Sequence, residues 1–140
     1  MLIGEFRHNI DQKGRANLPA KMREELGESF IICKGLGDKC LYVYPMEEWE
    51  LLEEKIKSLP VAKSRMLQRF LFSGAMKAVP DKQGRVLIPA NLREFACLDG
   101  EIVVAGAGAR AEIWNASDWD KNSEEITPEL LEETMLELGF

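Results

Sequence analysis

The stretch Asp11-Gln-Lys-Gly-Arg-Ala-Asn-Leu-Pro-Ala-Lys-Met-Arg-Glu24 returns seventy residues later as Asp81-Lys-Gln-Gly-Arg-Val-Leu-Ile-Pro-Ala-Asn-Leu-Arg-Glu94. Asp11, Gly14, Arg15, Pro19, Ala20, Arg23 and Glu24 recur unchanged, and Asn17 against Leu87 is the clearest mismatch. The offset reads as continuous on both sides, setting Gly4 against Gly74, Ile32 against Ile102, Tyr44 against Trp114 and Trp49 against Trp119. A duplication limits the fold more than any local signal does. Units of about forty-five residues stand near the lower limit for burying a core alone, so the two copies are expected to share one core or to join a larger assembly.

Each copy reads as strand, strand, short helix, strand, strand. In the first, Leu2 to His8 is an apolar-rich strand. Asp11-Gln-Lys-Gly supplies turn chemistry, with a carboxylate to accept backbone N–H groups and a glycine suited to positive φ. A β-hairpin is therefore expected, with Arg15 to Leu18 as its returning strand and Pro19 ending it. Ala20 to Leu26 is a short helix closed by Gly27, and Phe30 to Lys34 and Cys40 to Tyr44 are the next strands. In the second copy the strands fall at 72–79, 85–88, 101–105 and 111–114, with the helix at 90–96.

Between the copies, Trp49, Leu52, Ile56 and Leu59 mark an amphipathic helix that Pro60 ends. A second helix is expected from Ala62 to Leu71, with Met66, Leu67, Phe70 and Leu71 as its apolar stripe and Lys63, Arg65 and Arg69 on its wet face. Near the C-terminus, Thr127-Pro-Glu is a helix start. The expected units are a first repeat over 5–47, linker helices over 48–72, a second repeat over 76–119 and an acidic helical tail over 120–140.

Formal net charge is −6, but its distribution matters more. Residues 1–23 sum to +3 and residues 61–93 to +6, whereas residues 112–140 sum to −8. Both basic segments contain the repeated motif, which is the electrostatic footprint of a phosphate-binding face. Cys33, Cys40 and Cys97 are odd in number and lack paired spacing, so buried free thiols are expected rather than a disulfide framework or a zinc knuckle. With a single histidine, His8, no multi-histidine metal site is available. Gly106 to Ala111 superficially matches a dinucleotide fingerprint, but a strand rather than a helix follows it. No enzyme, cofactor, metal or small-molecule substrate is expected. Charges at Glu5 and Arg7 interrupt any leader-like apolar run, and no stretch approaches the length of a membrane span, so a soluble cytoplasmic protein is expected.

The doubled Asp-x-x-Gly-Arg with x-x-x-Pro-Ala, together with Leu-Tyr-Val-Tyr-Pro-x-x-Glu-Trp at 41–49, resembles the MraZ family, in the AbrB/SpoVT group of swapped-hairpin DNA-binding proteins. The resemblance spans nearly the whole chain. It implies an α+β fold of double-split β-α-β type in which strands of the two copies interleave. It also implies homo-oligomeric rings, the octamer among them, a nucleoid-associated location, and binding of double-stranded DNA at short direct repeats upstream of the division and cell-wall gene cluster. The candidate DNA-binding residues are Lys13, Gly14 and Arg15 in the first turn and Lys82, Gly84 and Arg85 in the second, with Asp11 and Asp81 as structural turn residues.

From a turn tip, a lysine reaches a phosphate as a point charge, and an arginine fork engages a guanine edge or two phosphate oxygens. The alternative is that Arg15 pairs with Asp11 and only steadies the turn, an interaction worth about 0–1 kcal/mol when exposed. Arg23 and Arg93 are assigned to ion pairs within or between subunits. A ring-forming scaffold without specific DNA binding is the second functional reading, favoured by the acidic tail and the negative net charge.

Overall fold

The computed structural model describes all residues, 1–140, and is a mixed α+β protein. The order is β1 (Glu5–Asn9), β2 (Arg15–Asn17), α1 (Ala20–Leu26), β3 (Phe30–Lys34), β4 (Leu41–Pro45), α2 (Met46–Lys57) and α3 (Val61–Ser73). The second half follows with β5 (Met76–Ala78), β6 (Arg85–Leu87), α4 (Ala90–Ala96), β7 (Glu101–Gly106), β8 (Ala111–Asn115), α5 (Ala116–Glu124) and α6 (Pro128–Glu137). Six strands form one antiparallel sheet in the order β1-β7-β8-β4-β3-β5, and β2 pairs with β6 in a separate two-stranded ribbon.

The pairing corrects the expected hairpin. The chain does reverse at Asp11–Gly14, where the Gly14 N–H donates to the Asp11 carbonyl at 3.0 Å and the Asp11 N–H to the Arg15 carbonyl at 3.1 Å. Beyond that reversal β1 and β2 part company: β1 joins β7 of the other copy and β2 joins β6 of the other copy. The mirror exchange places β5 on β3. Each copy thus lends its first two strands to its mate, which is how two units too small to bury separate cores come to share one.

A pseudo-twofold axis is visible in the register. In the ribbon Ala16 faces Val86, its own counterpart, and at the sheet centre Tyr42 faces Glu112, again its own counterpart. The offset of seventy is not continuous, however. Phe30 pairs with Pro45 whereas Ile102 pairs with Asn115, so β3 and β7 correspond at seventy-two although their partner strands still correspond at seventy. The expected equivalence of Ile32 with Ile102 is therefore replaced by Ile32 with Val104. From the end of α4 to the register-matched Ile102 there are two more residues than from the end of α1 to Phe30, and a β7–β8 connection shorter by two than β3–β4 compensates. The helix ends differ to match: α1 stops at Gly27, φ +86°, while α4 stops at Cys97 in a left-handed conformation, φ +54°. Cys97 is exposed, unlike the buried Cys33 and Cys40, because it occupies this cap.

Both faces of the large sheet are covered. Phe30, Ile32, Leu41, Val43, Ile102, Val104 and Ile113 point toward the ribbon and helices α1 and α4, against Ala16, Leu18, Met22, Val86, Ile88 and Leu92. The alternate residues Ile31, Cys33, Tyr42, Tyr44, Val103 and Trp114 face α2, α3 and α5 through Trp49, Ile56, Leu71 and Ala116. Tyr44 with Trp49 and Trp114 with Trp119 form matching aromatic pairs, 5.9 and 5.7 Å between ring centroids. Burial pushes the Cys33 thiol up to about 12, so it behaves as a small apolar side chain. The one buried carboxylate, Glu112, is satisfied by Arg110 at 2.7 Å and the Trp114 indole N–H at 3.0 Å, with Arg110 stacked 3.9 Å over Tyr42.

Three further expectations change. The strand expected over 72–79 shrinks to Met76–Ala78, because α3 continues through Ser73. Ala116–Glu124, divided in the expected units between the second repeat and the helical tail, is one continuous helix capped by the Asn115 side chain, which accepts the Asp118 N–H. In α3 the stripe splits: Leu71 and Ser64 are buried and Leu67 half-buried, whereas Met66 and Phe70 face outward. No helix is long and apolar enough to cross a membrane.

Candidate nucleic-acid interface

The ribbon β2–β6 presents two surfaces by strand alternation. Ala16 and Val86 point into the core, leaving Arg15 and Asn17 on one strand and Arg85 and Leu87 on the other to face outward. Across the ribbon Arg15 stands opposite Leu87, and Asn17 opposite Arg85. The sequence mismatch of Asn17 with Leu87 therefore falls on the outer face, where it makes the two halves chemically different. Leu87 is 58% exposed, although it is the larger apolar residue of the pair.

At each end of the ribbon an aspartate organises the turn. One Asp11 oxygen accepts the backbone N–H groups of Lys13 (2.9 Å) and Arg15 (2.8 Å), and the other accepts Arg15 Nε at 2.6 Å. Asp81 does the same for Gln83 N–H (2.9 Å), Arg85 N–H (2.9 Å) and Arg85 Nε (3.0 Å). The expected Asp11–Arg15 pair thus exists and has a copy at Asp81–Arg85. Because only Nε is engaged, both Nη groups of each arginine remain without a protein partner. Backbone N–H donation by Arg15 and then its guanidinium hold the Asp11 carboxyl below the usual carboxylate range, and the Arg85 and Gln83 N–H groups do so for Asp81. Lys13 and Lys82 are exposed beside them.

The glycines are required by both backbone and neighbours. Gly14 and Gly84 have φ of +82° and +80°, as expected for these turns, a region L side chains rarely adopt. A Cβ on Gly14 would lie 1.8 Å from Arg93 Nη1, and one on Gly84 would lie 2.7 Å from Arg23 Cζ. Arginines from the opposite copy's helix therefore lie directly over each turn. The backbone repeats the exchange: Ile88 N–H donates to the Gly14 carbonyl at 2.9 Å and Leu18 N–H to the Gly84 carbonyl at 3.0 Å.

Arg23 and Arg93 do not take up the within-chain ion pairs that were one of their two expected roles. Neither forms an ion pair within the chain; Arg23 Nε donates instead to the Leu18 carbonyl at 3.0 Å. Their recurrence in the motif was visible, but only strand exchange carries each helix to the other copy's turn. The ribbon and its turns bring Lys13, Arg15, Lys82 and Arg85 together with Arg23 and Arg93, which lie over the turns, in a protein of net charge −6. Clustered cations on a protein of acidic net charge are the arrangement that a polyanionic partner would require.

A family model described as "MraZ protein, putative antitoxin-like" matches the chain twice, over residues 1–70 and 71–136. The chain is similar to a protein of Heliobacterium modesticaldum named transcriptional regulator MraZ, 55% identical over 130 residues, with 91% of this chain and 90% of the relative covered. Proteins of the same name from Clostridium tetani and Moorella thermoacetica are 51% and 50% identical, each with both chains covered in full.

Proposed function

Because the chain belongs to the MraZ family, we propose that it is a sequence-specific DNA-binding transcriptional regulator acting as a homo-oligomeric ring, with the β2–β6 ribbon as its DNA-contacting surface. The observation that carries this reading is the outer ribbon face, on which Asp11 and Asp81 orient Arg15 and Arg85 while leaving their Nη groups unengaged. A two-stranded ribbon fits the major groove, which is about 12 Å wide, and an arginine fork there pairs with guanine O6 and N7. Lys13, Lys82, Arg23 and Arg93 surround the fork as phosphate contacts, supplying affinity without base preference. Gly14 and Gly84 serve the surface by shaping the turns and leaving room for Arg93 and Arg23 to lie over them.

In this reading residues 5–47 and 76–119 are two AbrB/SpoVT-like units of double-split β-α-β type, joined by helices over 48–72 and followed by the tail over 120–140. The target is a set of short direct repeats upstream of the division and cell-wall gene cluster, engaged by several protomers of one ring at once. The scaffold reading keeps the ring but assigns the ribbon to self-assembly, and the net charge of −6 favours it.

Selection of bound fragments from the organism's own genomic DNA, followed by titration of the selected site over a salt series, separates the two. Each neutralised phosphate contributes a slope of about −0.9 in log affinity against log salt, so specific binding through several phosphates is expected to weaken steeply. Enrichment of no fragment would leave the scaffold reading standing.

A further inference from the structure

Helix α6 makes no buried contact with the rest of the chain, yet it carries an apolar ridge. At about 100° per residue, Leu131, Met135 and Leu138 share one side. They are 54%, 42% and 69% exposed. Glu132 and Glu137 flank the ridge, Glu129 and Glu133 lie behind it, and the helix holds no basic residue. Its cap is well made, with the Thr127 hydroxyl accepting the Leu130 N–H at 3.1 Å and Pro128 at the first position. Its helical form is encoded locally, and its apolar side is left uncovered.

Helix α3 bears the complementary surface. Its inner side, Ser64, Leu67 and Leu71, lies on the sheet, while Ala62, Met66, Phe70 and Ser73 form an outer ridge. Lys63 and Arg69 flank that ridge and Arg65 lies beside Arg69; none of the three has an ion-pair partner, and α3 holds no acid. The ridge extends onto α4 through the edge-on stacking of Phe70 and Phe95, 6.0 Å apart. One chain therefore exposes an apolar ridge flanked by carboxylates and an apolar ridge flanked by cations. Helix α5, which leads into α6, packs on β7 and β8, whereas α3 packs on β3 in the other half of the sheet.

We infer that α6 of one copy docks on the outer face of α3 of the next copy, apolar ridge to apolar ridge with the acids of α6 against Lys63, Arg65 and Arg69. Two different patches of one chain meeting in this way make a heterologous contact, the kind that closes into rings. The inference rests on the reading that the chain forms a ring and names the surfaces that close it; it does not depend on DNA binding. It also accounts for an acidic tail on a protein with a basic ribbon, since the acids are spent on the neighbouring α3 rather than left near the DNA.

Full-length variants test it by light scattering at micromolar concentration. Leu131→Asp with Met135→Asp, and separately Met66→Asp with Arg69→Glu, are each expected to reduce the oligomer to monomer. Circular dichroism should report an unchanged body in both, because none of these side chains is buried. Mixing the two variants leaves one intact α6 and one intact α3, so a dimer is expected from the mixture although neither variant dimerises alone. In a third arm, Lys63→Glu with Arg69→Glu is expected to break the assembly, and Glu132→Lys with Glu137→Lys in the same chain to restore it. An oligomer mass unaffected by either of the first two variants overturns the inference. A mixture that stays monomeric overturns it as well, since α6 would then be covered by its own chain. Loss of DNA binding with full retention of mass in the α3 variants would also overturn it, showing that face to be a DNA surface. Failure of wild-type protein to bind any genomic fragment, with these mass changes as expected, would reject the DNA reading alone.

Discussion

The first and second turns share a backbone and differ in chemistry. Asp11 and Asp81 make the same three hydrogen bonds, Gly14 and Gly84 the same positive φ, and each turn is covered by an arginine of the other copy. Lys13 becomes Gln83, Gln12 becomes Lys82 and Asn17 becomes Leu87. Arg23 donates to the Leu18 carbonyl, while no counterpart bond joins Arg93 to Ile88. Residues that shape the turn must repeat because the conformation admits nothing else, whereas residues that only face outward were left free to diverge. The ribbon thus has twofold backbone geometry and an asymmetric set of side chains, and the proposed binding to direct repeats rather than palindromes is consistent with that asymmetry.

The largest expected effect comes from removing the oriented forks. Arg15→Ala should abolish specific DNA binding and Arg85→Ala should weaken it less, because Arg15 stands beside Lys13 whereas Arg85 follows Gln83. One lost bidentate contact is worth about 1–3 kcal/mol per protomer, and simultaneous engagement of several repeats multiplies the deficit. Gel-shift titration at matched salt measures it, and equal losses for the two variants would erase the distinction between the turns. Oligomer mass should not change, since a pair 30–40% exposed contributes little to stability.

Next in size, Gly14→Val and Gly84→Val should each destabilise the fold by about 1–3 kcal/mol through backbone strain alone. Urea unfolding gives the values, and the Gly14 variant should lose more, because its Cβ would meet Arg93 at 1.8 Å where Gly84 would meet Arg23 at 2.7 Å. Each variant should also disturb the opposite copy, since the overlying arginine and the paired strand belong to it.

A smaller change adds rather than removes. Gln83→Lys places in the second turn the charge that Lys13 gives the first, and should steepen the salt dependence of DNA binding by about one phosphate per protomer. An unchanged slope would show that the second turn lies off the DNA. The smallest effect is acid sensitivity. Both aspartates are held below their ordinary range, so their contribution to stability is present above that range and is lost as pH falls through the lower folded values. Thermal midpoints should stay flat through neutral pH and decline only below about pH 4, and Asp11→Asn with Asp81→Asn should remove that part of the decline.

Much of this was legible in residue types. Turn formation at Asp11–Gly14 and Asp81–Gly84, positive φ at both glycines, the short helices after Pro19 and Pro89 and the capped helix after Thr127 are local properties of a few adjacent residues. The duplication itself announced a shared core. The family resemblance implied that strands of the two copies interleave, but the residue pattern by itself did not disclose which strands pair. The alternation in 5–9 and 15–17 is satisfied equally by a closed hairpin and by exchange with the other copy, since either arrangement buries the same apolar side chains.

The tertiary structure supplied the particular exchange, β1 with β7, β2 with β6 and β5 with β3. With it came the positions of Arg23 and Arg93 over the opposite turns, the outward placement of Asn17 and Leu87, and the two-residue shift between β3 and β7. The split of the α3 stripe into an inner and an outer ridge was decided in the same way, because a helix apolar on two sides shows its free side only once a sheet has covered the other. Local sequence determines what each segment can become, while pairing between segments distant in the chain depends on summed burial over the whole core, which no single segment encodes.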